Sequence, residues 1–256
     1  MSGMQREVPT TEAPHSPLVI EVVQAMLGDA PVDPALLAKV SEPERVQERA
    51  DAEAQLRADD WPNLGRYQAS NAAIVESGVR PDVVFMGDSI SEVWPAGDPE
   101  FFTNGRVCRG ISGQTSPQIL LRFYADVIAL KPKAVHLLCG SNDIAGNTGP
   151  TTPYRYQRNV LAMTELAAAH DIRVLLGSIP PTAFFSWRPE ATPAPWVAEL
   201  NVWLRDLARE HGFTFVNYHP PLDDGTGAMR REFTHDGVHP NRRGYAVMRE
   251  VLEPLL

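Results

Sequence analysis

Val83-Val84-Phe85-Met86-Gly87-Asp88-Ser89 is the stretch on which the reading of the fold turns. A short unbroken apolar run, Val83 to Met86, rich in β-branched and aromatic side chains, predicts a strand buried on both faces. Gly87 stops it and lets the chain turn sharply, so that Ser89 stands just beyond a strand end. Outward from this run, strands and helices alternate. A weaker strand is expected at Arg106-Val107-Cys108, a third at 134–139, a fourth over Arg173 to Leu176 and a fifth over Phe213 to Val216. Ser116-Pro117 reads as a helix cap followed by proline in the first turn, with Ile119, Phe123, Val127 and Leu130 at helical spacing until Pro132. Further helices are expected over Pro153 to His170, Pro195 to His211 and Arg242 to Leu252. That alternation predicts an open α/β fold with a parallel sheet.

Toward the N-terminus the pattern changes. Residues 1–16, rich in Pro, Thr, Ser and Glu, read as an arm, and Leu18 to Leu27 and Pro34 to Val40 as short helical pieces. Charge dominates from Glu44 to Ala58, which predicts a mostly solvated helix, interrupted by Trp61-Pro62-Asn63 and followed by a helix from Leu64 to Ser77. The expected organisation is an arm and helical extension over 1–60 and a catalytic domain over 61–256.

Composition narrows the function classes. The chain has 256 residues, 43% apolar and 21% charged, which is ordinary for a globular protein that buries a core. No run approaches the ~18–20 apolar residues of a spanning helix. A net charge of −9 argues against nucleic acid or an anionic membrane as the main partner. The two cysteines, Cys108 and Cys139, cannot form a disulfide framework or a four-thiolate zinc site and are expected reduced in the core. Met1 to Ser16 lacks the pattern of an export signal, so the chain as written reads as cytoplasmic, or as periplasmic or secreted if a leader was trimmed.

Four loop segments carry residues suited to chemistry. Ser89 is a candidate nucleophile, although no G-x-S-x-G elbow surrounds it. Arg109-Gly110-Ile111-Ser112-Gly113-Gln114-Thr115 can bring backbone N–H groups to an oxyanion at a helix N-terminus. In Gly140-Ser141-Asn142-Asp143, the Asn142 amide is a neutral donor suited to a developing negative oxygen. In His235-Asp236-Gly237-Val238-His239-Pro240, a carboxylate three residues before an imidazole can hold one ring nitrogen and leave the other free as a base. Taken singly, each segment is better read as an ordinary turn. A metal reading of His235, Asp236 and His239 is poor, since no further ligand cluster completes it. Together they weigh more, because each lies past a strand end or before the last helix, where open α/β sheets place their ligand sites.

These four blocks, Gly87-Asp88-Ser89, Gly113, Gly140-Ser141-Asn142-Asp143 and Asp236-Gly237-Val238-His239-Pro240, resemble those of the SGNH or GDSL esterase/lipase family over residues 80–253. The likeness is nearest to bacterial members similar to platelet-activating-factor acetylhydrolase subunits. It implies a three-layer, flavodoxin-like fold with a five-stranded parallel sheet of order 2-1-3-4-5. It also implies Ser89 as nucleophile, His239 as base and Asp236 as the His-orienting acid. The oxyanion hole would come from the Ser89 and Gly113 backbone and the Asn142 side chain. Ile90 departs from the leucine of the eponymous tetrad, and the family leaves the segment before residue 60 unexplained.

The expected activity is hydrolysis of carboxylic esters, with short acyl groups favoured because no apolar lid helix is evident. No cofactor and no metal are called for, and the expected partner is a small ester substrate. The rivals are acyl transfer to a sugar or alcohol by the same intermediate and a non-catalytic binding module. Asp88, Trp94, Phe184 and Trp187 are candidate substrate contacts, with Phe185 and Trp196 as further aromatics near a pocket wall. The resemblance also leaves a homodimer open.

Overall fold

The computed structural model describes residues 16–103 and 105–256. The arm expected over residues 1–16 lies outside the described residues except for Ser16, whose hydroxyl accepts from Val19 N at the start of the first helix. Among the described residues, no helix is long and apolar enough to cross a membrane.

Five strands form one parallel sheet: β1 (Val83–Gly87), β2 (Arg106–Gly110), β3 (Ala134–Leu138), β4 (Arg173–Gly177) and β5 (Thr214–Val216). Their order is β2-β1-β3-β4-β5, the doubly wound arrangement expected from the resemblance. The strands are apolar on both sides, and alternate residues enter separate cores. Val84, Met86, Val135, Leu137, Val174 and Leu176 pack on one face with Ile119, Phe123 and Val160. Val83, Phe85, Leu138 and Leu175 pack on the other with Trp94, Tyr245 and Leu252. Both sheet faces are therefore covered, which gives three layers.

Eleven α-helices accompany these strands among the described residues: α1 (Pro17–Leu27), α2 (Pro34–Val40), α3 (Pro43–Asp59), α4 (Gln68–Ser77), α5 (Ser89–Gly97), α6 (Ser116–Asp126), α7 (Ser141–Ala145), α8 (Pro153–Ala169), α9 (Pro193–His211), α10 (His219–Leu222) and α11 (Arg242–Leu252). Several boundaries differ from the sequence reading for local reasons. Thr115, not Ser116, caps α6, in a capping box completed by Gln118. The helical pattern after Ser116 stops at Asp126, with a short 3₁₀ turn over Ile128–Leu130. Leu64 to Tyr67 is likewise a 3₁₀ turn leading into α4.

Helix α5 was not anticipated, because Pro95 lies inside it. Proline has no N–H for the carbonyl four residues back, that of Ser91. Cys108 Sγ, 3.1 Å away on β2, donates to that carbonyl instead. Both cysteines are buried and neither forms a disulfide among the described residues.

The N-terminal helices meet the sheet unequally. Leu27 at the end of α1 is buried in the Trp94–Tyr245 core. His235 Nε2 lies 2.7 Å from the Gly28 carbonyl, so the loop before α11 leans on the end of α1. Helix α3 buries no side chain, in keeping with its charged sequence.

Candidate active site

Register places the candidate loops abreast. Gly87, the last residue of β1, pairs with Gly110 at the end of β2 and with Leu138 at the end of β3. The segments beginning at Asp88, Ile111 and Cys139 therefore leave the sheet at one level. The two glycines are required by packing: a Cβ on Gly87 would stand 2.2 Å from the Leu138 carbonyl oxygen, and one on Gly110 2.2 Å from the Glu92 nitrogen. Helix α5 thus begins directly against both neighbouring strands.

Ser89 is the first residue of α5, and the Asp88 side chain caps the helix by accepting from Ile90 N at 3.0 Å. The Ser89 hydroxyl lies 2.9 Å from His239 Nε2. On the other side of that ring, Nδ1 lies 2.6 Å from Asp236 Oδ2. An ionised carboxylate can only accept, so Nδ1 carries the proton and Nε2 is left to accept from Ser89. Asp236 Oδ1 is held by the backbone N–H groups of Val238 and His239, at 2.9 and 2.8 Å. Chain segments 150 residues apart thus meet in one hydroxyl–imidazole–carboxylate relay.

Burial alone would push the Asp236 pKa up, but the hydrogen bond and charge of His239 and the two backbone donors bring it down to about 2. For His239, burial opposes the imidazolium. The bond and charge of Asp236, aided by Asp88, outweigh that and raise the pKa above its ordinary value. Asp88 shows the opposite balance: it is buried beneath the site, and desolvation lifts its carboxyl to about 7. Asp88, expected from the sequence as a substrate contact, is buried here and holds the Ile90 N–H.

Asn142 enters α7 with its amide oriented at both ends. Its Nδ2 donates to the Gln114 carbonyl at 3.0 Å, and its Oδ1 accepts from Asn147 Nδ2 at 2.7 Å. One Nδ2 hydrogen is left over from the Gln114 bond. Asn142 is thereby tied to the loop containing Gly113, whose φ of +78° suits glycine while a Cβ there would meet nothing within 4 Å. A second tie joins the same loops: buried Asp143 accepts from Ser116 N at 2.9 Å and from the Ser116 hydroxyl. Desolvation raises Asp143 to about 6 despite these donors. Asp143 was visible in its block without a role, whereas Asn147 carried no sequence signal.

The aromatic expectations divide. Trp94 is fully buried, stacked between Phe101 and Tyr245 at centroid distances of 5.6 Å in the core behind α5. Phe185 is also buried, packed with Ala145 and Val238 behind the His239 loop. Trp187 remains exposed at the rim, 6.5 Å from the His239 ring, and its Nε1 donates to Asn147 Oδ1 at 3.1 Å. It lines a cleft of about 490 Å³ with Gly113, Gln114 and Asn147. Phe184 is exposed but does not line that cleft, and Trp196 is half-buried on α9.

A hydroxyl, an imidazole and a carboxylate in line beside an amide, at the carboxyl edge of a doubly wound sheet, form an arrangement suited to hydrolysis of an ester bond. The chain belongs to the GDSL-like lipase/acylhydrolase family, whose model matches residues 85–247. It is similar to a candidate acylhydrolase from Bacteroides fragilis, at 41% identity over 77% of this chain and 97% of that one, with a TM-score of 0.73. It is also similar to a GDSL-like lipase from Bacteroides thetaiotaomicron, at 42% identity over 77% of this chain and 98% of the other, TM-score 0.72. A candidate platelet activating factor protein from Streptococcus pneumonia matches at 25% identity over 82% and 98%, TM-score 0.67. No curated protein matches the chain.

Proposed function

We propose that the protein hydrolyses carboxylic esters bearing short acyl groups through an acyl-Ser89 intermediate. The observation that carries this reading is the unbroken relay from Ser89 through His239 to Asp236, at 2.9 and 2.6 Å. As Ser89 Oγ bonds to the ester carbonyl carbon, its proton passes to His239 Nε2 and the carbonyl electron pair moves onto oxygen. The Ser89 and Gly113 backbone N–H groups and the remaining Asn142 Nδ2 hydrogen are the donors proposed for that oxygen. Collapse breaks the bond to the alcohol oxygen, which leaves with the proton from His239. Water then gives a proton to His239 as its oxygen attacks the acyl carbon. The bond to Ser89 breaks, the proton returns to Ser89 and the acid departs. Imidazolium formed in each half is stabilised by Asp236, ionised throughout because its pKa is so low. Short acyl groups fit a cleft whose aliphatic lining is only Leu56 and Ile111.

A fluorophosphonate probe tests the reading. Covalent labelling of the wild-type protein that disappears in Ser89→Ala supports it. A folded wild-type protein that takes no label and releases no acid from short-chain esters refutes it.

A further inference from the structure

The cleft beside Gly113 is closed on its outer side by residues that the family match does not reach. Helix α3 contributes Glu53, Leu56 and Arg57, and the turn after it contributes Trp61, all before residue 85 where the match begins. That turn is tied to the site. Gln114 Nε2 donates to the Pro62 carbonyl and Gln118 Nε2 to the Trp61 carbonyl, each at 2.8 Å. Asp60 accepts from Leu64 N and Gly65 N at 2.9 and 2.8 Å, which fixes the turn from its other side. Gln114 is the residue whose own carbonyl holds Asn142. Trp61 also lines a second cavity of about 390 Å³, and Thr148 lines both.

The chemistry of this wall selects its ligand. Trp61 and Trp187 bring two indoles to the lining, and the polar groups beside them have partners yet keep a lone pair or an N–H over: Gln114 bonds Pro62 and Arg122, Asn147 bonds Asn142 and Trp187, Ser112 bonds Glu92 and Thr148 bonds Thr115. Arg57 and Arg188 are each matched by a carboxylate, Glu53 at 3.5 Å and Glu190 at 3.6 Å, so the wall has no surplus cation for an anionic headgroup. An aliphatic chain would find only Leu56 and Ile111. A molecule with apolar C–H faces and hydroxyls that both donate and accept suits two indoles beside such polar groups and the Glu53–Arg57 pair.

We propose that α3 and Trp61 form a specificity wall that binds the sugar of a carbohydrate ester while its acyl group meets Ser89. The proposal rests on the ester-hydrolase reading above. The Glu53–Arg57 pair would bond hydroxyls at the rim, and the Trp61 face would carry a sugar ring across from Trp187.

Acetate release from 6-O-acetylglucose, whose other hydroxyls are free, and from ethyl acetate is measured for full-length wild type, Trp61→Ala and the double variant Glu53→Ala/Arg57→Ala. The expected result is a fall of about tenfold in the ratio of kcat/KM for the sugar ester to that for ethyl acetate, in both variants. The double variant replaces two exposed side chains on a helix with no buried residue, so it keeps its fold. A ratio within twofold of wild type in either variant overturns the proposal. A wild-type protein that cleaves neither ester overturns the hydrolase reading and the wall together, an outcome distinct from an active enzyme with an unmoved ratio.

Discussion

Asn147 sets the orientation of Asn142, and its removal has a calculable consequence. In Asn147→Ala, Asn142 Oδ1 loses its 2.7 Å donor while Nδ2 keeps the Gln114 carbonyl. A neutral hydrogen bond is worth about 1 kcal/mol net, and an orphaned buried acceptor costs about 1–3 kcal/mol. Asn142 is only 5% exposed, which favours the larger figure, but Asn147 is half-buried and its place can fill with water. A loss of about 1–2 kcal/mol in the transition state is therefore expected, roughly a 5- to 30-fold fall in kcat. KM should hardly change, because the amide acts on charge that develops only after binding. Asn142→Ala, which deletes the donor itself, should cost on the order of 10²–10³ in kcat. Trp187→Phe, which removes only the 3.1 Å bond to Asn147 from an exposed ring, should cost less than about threefold. The assay is p-nitrophenyl acetate hydrolysis at saturation, on variants with wild-type melting profiles. Wild-type kcat in Asn147→Ala alongside a crippled Asn142→Ala would refute the positioning argument.

The base must be neutral to act, and Asp236 and Asp88 outweigh burial to raise His239. The acid limb of kcat should accordingly have its midpoint above the ordinary imidazole value of ~6.5. Asp236→Asn should move that midpoint down and lower kcat by roughly 10⁴, and a pH–rate profile with an unmoved limb would contradict it. Asp88 has a folded pKa of about 7, above its unfolded value of ~3.9. The stability linked to its proton is present at low pH and lost as pH rises through 7. Asp88→Asn, which keeps the capping oxygen for Ile90, should therefore raise Tm more at pH 8 than at pH 5, measured by thermal melts. Gly110→Ala drives a Cβ to 2.2 Å from the Glu92 nitrogen and 2.7 Å from the Asp88 carbonyl, so little folded protein should be recovered. Gly113→Ala meets no atom, and its left-handed φ should cost only about 1–2 kcal/mol, leaving a folded enzyme with reduced kcat. Expression yield and circular dichroism separate the two glycines.

The same physics explains what could be read in advance. Strands buried on both faces need continuous apolar runs, so Val83–Met86 and its counterparts stood out, and the four loop blocks fell where strand ends must lie. Register could not be read, because Gly87 opposite Gly110 is a property of pairing and not of either segment alone. Trp94 illustrates the limit for single side chains. It follows the nucleophile by five residues, as a pocket residue might, yet α5 turns it inward onto Phe101 and Tyr245. That helix was hidden because Pro95 signals a break, and only a thiol from the neighbouring strand restores the bond that proline omits. Asn147 was silent for a related reason: an amide that orients another amide needs only proximity, which sequence spacing does not encode. Helix α3 is the sharpest case. Its charged, solvated character was evident, but solvation is equally the mark of an idle surface helix and of one that lines an open polar cleft. The Trp61–Pro62 carbonyls decide between them, because Gln114 and Gln118 draw that turn against the loop next to Gly113. A segment with no buried residue of its own is thereby brought to the edge of the proposed oxyanion loop, where its side chains can meet whatever the ester carries.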